Sequence, residues 1–180
     1  MKNLWSMGII FIAVALSSCG KESTWEKYEK WAYANVEFFN EKVAETDETG
    51  VPVYTKLIPD WNKGAFVLMK KYKEGDGGSP YLNSTVTVKY KGYDCDGNIF
   101  DSSESKKNGS VDFRVSELTD GWQIALLYMA VGDSCELVIP YQLGYGESGR
   151  TDSYGNYLIK PYSTLIFGVE LTDIPKLEKP

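Results

Sequence analysis

The chain of 180 residues contains no histidine. Without imidazole there is no Ser-His or Cys-His nucleophile pair, no histidine zinc site and no ordinary proton shuttle near neutral pH. Positive charge is also scarce: 19 Lys and Arg stand against 25 Asp and Glu, giving a formal net charge of -6 and a pI near 4.8. A surface that displaces counterions from phosphates needs the opposite balance, so no nucleic-acid partner is expected. Cysteine occurs three times, at Cys19, Cys95 and Cys135. The apolar run from Met7 to Leu16 is too short to span a bilayer durably.

What is present is apolar and aromatic. Hydrophobic residues make up 43% of the chain and aromatic ones 14%, enough to enclose one core, so one domain with an appendage is the natural organisation. The opening "MKNLWSMGIIFIAVALSSC" has Lys2, the short apolar run and then small residues, the layout of a secretory signal. Its ending "LSSC" resembles a bacterial lipoprotein box. That resemblance implies a signal peptide over 1–18, cleavage before Cys19 and lipid on Cys19; an ordinary signal with a coincidental cysteine is the alternative. The expected localisation is export to the bacterial cell envelope, anchored to a membrane by acyl chains, at the outer membrane and facing the periplasm or the outside.

Residues 19–63 read as an N-terminal helix and linker. "TWEKYEKWAYANVEFFNEKVAET" offers Thr24 as N-cap and an apolar stripe at Trp25, Tyr28, Ala32, Val36, Phe39 and Val43, widened by Trp31 and Phe38. That face packs either on its own domain or on a partner or second copy. The segment 49–64 reads as a turn, a short extended piece and a linker.

From residue 64 to 176 the period becomes two. "AFVLMKKYK", "STVTVKYKGYD", a short strand ending at Phe100 and Asp101, "SVDFRVS", "SCELVIP" and "STLIFGVELTDI" alternate as strands, with a hairpin turn at Asp96-Gly97. "LTDGWQIALLYMAVG" is a short helix capped near Thr119 or Asp120 and apolar almost all round. The expected fold is α+β: a five- to six-stranded antiparallel half-barrel wrapped around one central helix, with an N-terminal helical extension. Cys135 shares a face with Leu137 and Ile139, while Cys95 is out of phase with Val86, Val88 and Tyr90, so the two point apart and a disulfide is not favoured.

Two strings that look like ligand motifs fail on context. "GYGESG" matches a dinucleotide fingerprint, but "RTDSYGNY" after it cannot start the helix that would hold a pyrophosphate. "DCDGN" lacks the remaining ligand spacing of a calcium loop and reads as a hairpin turn. No cofactor or metal is expected. The rings Tyr90, Phe100, Trp122, Tyr145 and Phe167 accumulate instead, from separate segments and all aimed inward, and core packing would explain any one alone.

The blocks "VKYKGYDCDGNIFDSS", "FRVSELTDGWQIALLYMAVGDSCELVIP", "LGYGESG" and "STLIFGVEL" resemble, in order and spacing, the FKBP-type peptidyl-prolyl isomerases, over residues 84 to 174. The resemblance implies a shallow apolar pocket between sheet and helix, with Trp122 as its floor under a substrate prolyl ring. It carries over Tyr90, Phe100, Leu118, Ile159 and Phe167 as walls, with Leu158 and Phe113 beside them and Val111 near a position that is often aromatic. Asp101 matches the family's pocket aspartate, and Tyr145 the tyrosine that donates to a substrate carbonyl. Thr119 stands where an aliphatic residue with a carbonyl-binding N–H is usual. For Asp101 a turn-capping role is the alternative. The implied activity is isomerisation of X-Pro bonds in unfolded or partly folded exported polypeptides. A tethered module that grips proline segments without turning them over is the second reading, and a dimer through the N-terminal helix a third.

Overall fold

The computed structural model describes residues 23–179; the expected signal peptide and Cys19 lie outside the described residues. Helix α1 spans Thr24–Ala44. Ser23, not Thr24, caps it: Ser23 Oγ accepts from the Glu26 N–H, and the Glu26 carboxylate accepts from the Ser23 N–H. This reciprocal pair satisfies donors that a helix start leaves open. The buried face is also turned from the expected stripe. Trp25 and Val36 stay 40% and 42% exposed, whereas Ala32 and Asn35 are buried. A polar residue, which a count of apolar positions passes over, sits at the centre of the packed face. Asn35 Oδ1 accepts from the Thr164 N–H at 2.7 Å, and its carbonyl accepts from the Thr164 hydroxyl at 3.0 Å. Partnered in this way, the amide is buried without an unmet hydrogen bond.

The strands are β1 (Thr55–Leu57), β2 (Val67–Lys73), β3 (Thr85–Tyr93), β4 (Ile99–Ser102), β5 (Val111–Arg114), β6 (Ser134–Ile139), β7 (Arg150–Thr151), β8 (Tyr157–Ile159) and β9 (Leu165–Lys176). Helix α2 (Asp120–Leu127) lies between β5 and β6. The main sheet is antiparallel and seven-stranded, in the order β1-β2-β6-β9-β3-β4, and β5 also pairs with β3. It exceeds the expected five to six strands because the segment read as linker supplies β1. That strand shows no alternation of its own, but pairs Thr55 with Met69 and Leu57 with Val67. Strands β7 and β8 form a separate two-stranded flap.

Alternation along the strands sorts two faces. Met69, Val88, Tyr90, Leu137, Phe167 and Val169 point to one side and enclose Trp122, Ile124, Ala125 and Leu126 of α2. The right-handed twist of the sheet lets it curl over that helix. Leu68, Val138 and Ile166 point to the other side, under Phe38, Phe39 and Val43 of α1. The C-terminal part of the helix's apolar face thus packs on its own domain, while Trp25 and Val36 stay exposed. Cys95 and Cys135 are both free, and burial pushes each thiol up to about 11. Among the described residues no helix is long and apolar enough to cross a membrane.

Candidate functional site

The site forms where α2 begins. Thr119 is its N-cap, in an extended conformation, so the next turn throws Trp122 against the concave face of the sheet. Trp122 is only 6% exposed. Its ring meets Tyr90 at 5.6 Å and Phe167 at 5.1 Å, both edge-on. Phe100 stands at 89° to Phe167, 5.4 Å away, and Phe113 lies 5.9 Å from Tyr90. Edge-to-face pairs of this kind stabilise by roughly 0.5–1.5 kcal/mol each beyond their burial. Rings braced at right angles hold one another up without closing the space between them. Gly92 permits the approach, since a Cβ there would lie 2.7 Å from ring atoms of both Phe100 and Phe167.

The space left is a cavity of about 350 Å3, lined by Tyr90, Phe100, Asp101, Phe113, Glu117, Leu118, Thr119, Trp122, Tyr145, Arg150 and Phe167. Larger hollows beside β1, about 610 Å3, and against α1, about 470 Å3, gather no comparable ring set. The polar groups of the cavity sit on its rim. Arg150 Nη1 donates to the Tyr145 hydroxyl oxygen at 3.4 Å, lies 4.0 Å from Asp101 Oδ2, and its guanidinium is 5.8 Å from the Tyr145 ring centroid. Asp101 Oδ1 also accepts from the Ser102 N–H at 2.9 Å, so this carboxylate serves its turn and the cavity together. Burial, with the Asp101 carboxylate nearby, pushes the Tyr90 hydroxyl up to about 12 and keeps it a neutral donor. Thr119 Oγ1 is buried and finds no hydrogen-bond partner among the described residues.

Three expected binding residues are not part of this lining. Val111 lies opposite Val88 in the β3–β5 register and packs against the core beside the cavity. Leu158 and Ile159 line, with Phe100, a second hollow of about 170 Å3 between the flap and α1. The segment 147–161, "ESGRTDSYGNYLIKP", folds into its own hairpin, which carries β8 toward α1 and leaves β7, with Arg150, at the cavity. Period two within β8 then splits its pair, leaving Leu158 49% exposed and Ile159 4%. Glu117 and Arg150 were not foreseen. Arg150 had one available signal: it is one of only two arginines in the chain, the other being Arg114.

An antiparallel half-barrel closed over one helix, with a ring-floored cavity at that helix's first turn, defines a class of proline isomerase folds. Residues 77–172 match the family model described as FKBP-type peptidyl-prolyl cis-trans isomerase, and the chain belongs to that family. It is 42% identical over 101 residues to the FKBP-type 22 kDa peptidyl-prolyl cis-trans isomerase of Escherichia coli, covering 56% of this chain and 46% of that protein. It is 37% identical to the outer membrane protein MIP of Legionella longbeachae, over 57% of this chain and 41% of that one. The chain spans about half the length of the curated relatives it matches, or less. A solved isomerase from Pseudomonas syringae superposes with a TM-score of 0.65 at 31% identity, covering 82% of this chain and 95% of that one.

Proposed function

We propose that the chain catalyses cis-trans isomerisation of X-Pro bonds in unfolded or partly folded exported polypeptides. The observation that carries this reading is the convergence of Tyr90, Phe100, Trp122 and Phe167 on one cavity.

Turning an X-Pro bond must overcome amide resonance, a barrier of roughly 18–20 kcal/mol, and takes tens to hundreds of seconds unaided. No covalent bond breaks, so a site without histidine or an activated nucleophile suffices. The twisted amide has lost its resonance dipole and gives up less on leaving water than the planar form, so a dry aromatic floor favours it selectively. Trp122, Phe100 and Phe167 hold the prolyl ring. The Thr119 N–H and the Tyr145 hydroxyl orient the flanking carbonyls, and Asp101 organises the rim. Only contacts stronger in the twisted geometry speed the step, and donors fixed at the rim supply such contacts.

The lipoprotein-like opening "LSSC", together with a relative that is named an outer membrane protein, supports placing this activity at the bacterial envelope, anchored through lipid on Cys19. Metabolic labelling with a palmitate analogue, with and without Cys19→Ser, tests the anchor; equal labelling of both would exclude it. A protease-free proline isomerisation assay tests the activity, comparing wild type with Trp122→Ala and Phe100→Ala. Rates at background in all three, with proline peptides still bound, would leave a binding module that does not turn them over.

A further inference from the structure

Helix α1 meets the rest of the chain through two halves of different character. Its C-terminal half lies on the sheet through Phe38, Phe39 and Val43. Its N-terminal half meets residues 157–164, the return limb of the flap and the turn into β9. Trp31 Nε1 donates to Ser163 Oγ at 3.1 Å, and Lys160 Nζ stands 4.0 Å from the centroid of the Trp31 ring. Tyr28 meets Tyr157 edge-on at 5.6 Å, and Asn35 takes the Thr164 N–H.

The flap needs such a hold. Its strands have two and three residues, and a two-stranded hairpin of that length is not stable alone in water. The limbs are locked to each other: Arg150 pairs with Ile159, and a Cβ on Gly149, at φ +65°, would lie 2.3 Å from the Ile159 carbonyl oxygen. Wherever α1 fixes β8, β7 must follow, and β7 carries Arg150. The Arg150 guanidinium occupies an acceptor position of the Tyr145 oxygen, so the Tyr145 hydrogen is left to point elsewhere, and the positive charge strengthens that hydrogen as a donor.

We propose that α1 is a positioning element of the cavity. Trp31 and Asn35 pin the 157–164 limb, the limb sets Arg150, and Arg150 aims the Tyr145 hydroxyl. The kinetic consequence rests on the isomerase reading; the mechanical coupling does not. Trp31 and Asn35 touch no substrate and act only through the flap.

The test uses the full chain with Trp31→Ala, Trp31→Phe, Arg150→Met and the Trp31→Ala/Arg150→Met double variant. Hydrogen exchange read by mass spectrometry decides the coupling without reference to activity. In Trp31→Ala, amides of 149–159 exchange at least about tenfold faster while those of β3, β6 and β9 are unchanged, and Trp31→Phe, which keeps a ring under Lys160, lies between. Unchanged flap exchange in Trp31→Ala overturns the proposal, as does a uniform rise across the sheet. In the isomerase assay Trp31→Ala lowers kcat about three- to tenfold with KM within twofold, and adds little in the Arg150→Met background. Multiplicative losses in the double variant would show that α1 acts on the cavity by another route and overturn it. A wild-type chain at background rate would sink the isomerase reading, while the exchange result would still decide the coupling.

Discussion

Two aromatic clusters lie back to back across one sheet, and only one of them gathers most of its rings round a single space. On the convex side Phe38, Phe39 and Phe66 close over Leu68, Val138 and Ile166, and the tyrosine there, Tyr54, gives its hydroxyl to Glu136. On the concave side Tyr90, Phe100, Trp122 and Phe167 brace each other edge-on around a cavity, and the Tyr145 hydroxyl and Arg150 stand at its rim. The residue types are nearly the same. What separates a structural cluster from a functional one is whether its rings converge on one space with hydrogen-bonding groups at the rim. A cluster whose rings lie flat on the sheet stabilises; one whose rings surround a cavity holds a binding potential that a ligand completes.

The sharpest way to break this comparison is to truncate one large side chain on each face. Trp122→Ala should cost about 3–5 kcal/mol in chemical denaturation and lower kcat/KM at least about 100-fold per folded molecule. Leu68→Ala, fully buried on the other side, should cost a similar 2–5 kcal/mol, roughly, and leave kcat/KM within twofold. Parallel losses of activity in both would mean that the rate follows stability and that the two clusters do not differ in kind.

A milder pair sharpens the same point on hydroxyl groups. Tyr145→Phe removes a rim donor and should lower kcat/KM about fivefold, since a hydrogen bond contributes about 1 kcal/mol and 1.4 kcal/mol corresponds to a factor of ten. Tyr54→Phe strips a donor from Glu136 and should lower the unfolding free energy by about 1 kcal/mol without touching the rate. Isomerisation kinetics and urea titration of the two variants give the crossed result, and an unaltered rate in Tyr145→Phe would remove that hydroxyl from the mechanism.

The concave cluster was largely legible because its residues come from long, regular elements. Val86, Val88 and Tyr90 in β3, and Leu165, Phe167, Val169 and Leu171 in β9, announce their shared face by period two, and Trp122 by its place after a cap. The family blocks then set the rings in one site. The rest was hidden for physical reasons. Strand β1 is too short to alternate and exists through its pairing with β2. Asn35 is buried by hydrogen bonds to Thr164, distant in sequence. The family resemblance implied Leu158 and Ile159 as cavity residues; Ile159 packs into the core of Trp122 and Phe167, but the flap's own hairpin, set by Asp152, Gly155 and Asn156 and illegible in its loop composition, leaves neither in the lining. The same hairpin is what delivers Arg150.

Alkali should loosen the concave core. Burial raises the Cys135 thiol from an ordinary 9.0 to about 11 and the Tyr90 hydroxyl from 10.0 to about 12, so the fold favours their neutral forms. The stabilisation is complete below the unfolded values and is lost as pH rises through the folded ones. Thermal midpoints should therefore fall progressively between pH 9 and 12, and Cys135→Ala should flatten the first part of that fall. Tyr54, raised by burial and by its bond to Glu136, adds a loss from the convex side at still higher pH. Midpoints that hold steady to pH 12 would contradict the burial of these groups.

The smallest expected effect is the most discriminating about chemistry. Proton-transfer enzymes working near neutrality show a rate that rises and falls with the ionisation of an acid and a base. This chain has no histidine, whose ordinary pKa lies in that range, and the cavity's Tyr90 is held at about 12. A mechanism that strains an amide by shape and dryness moves no proton, so kcat/KM measured on a fixed peptide should stay within about twofold from pH 6 to 9. A bell-shaped profile across those three units would mean that a titrating group takes part in the step, and the open aromatic cluster would then be a binding surface beside the chemistry instead of its cause.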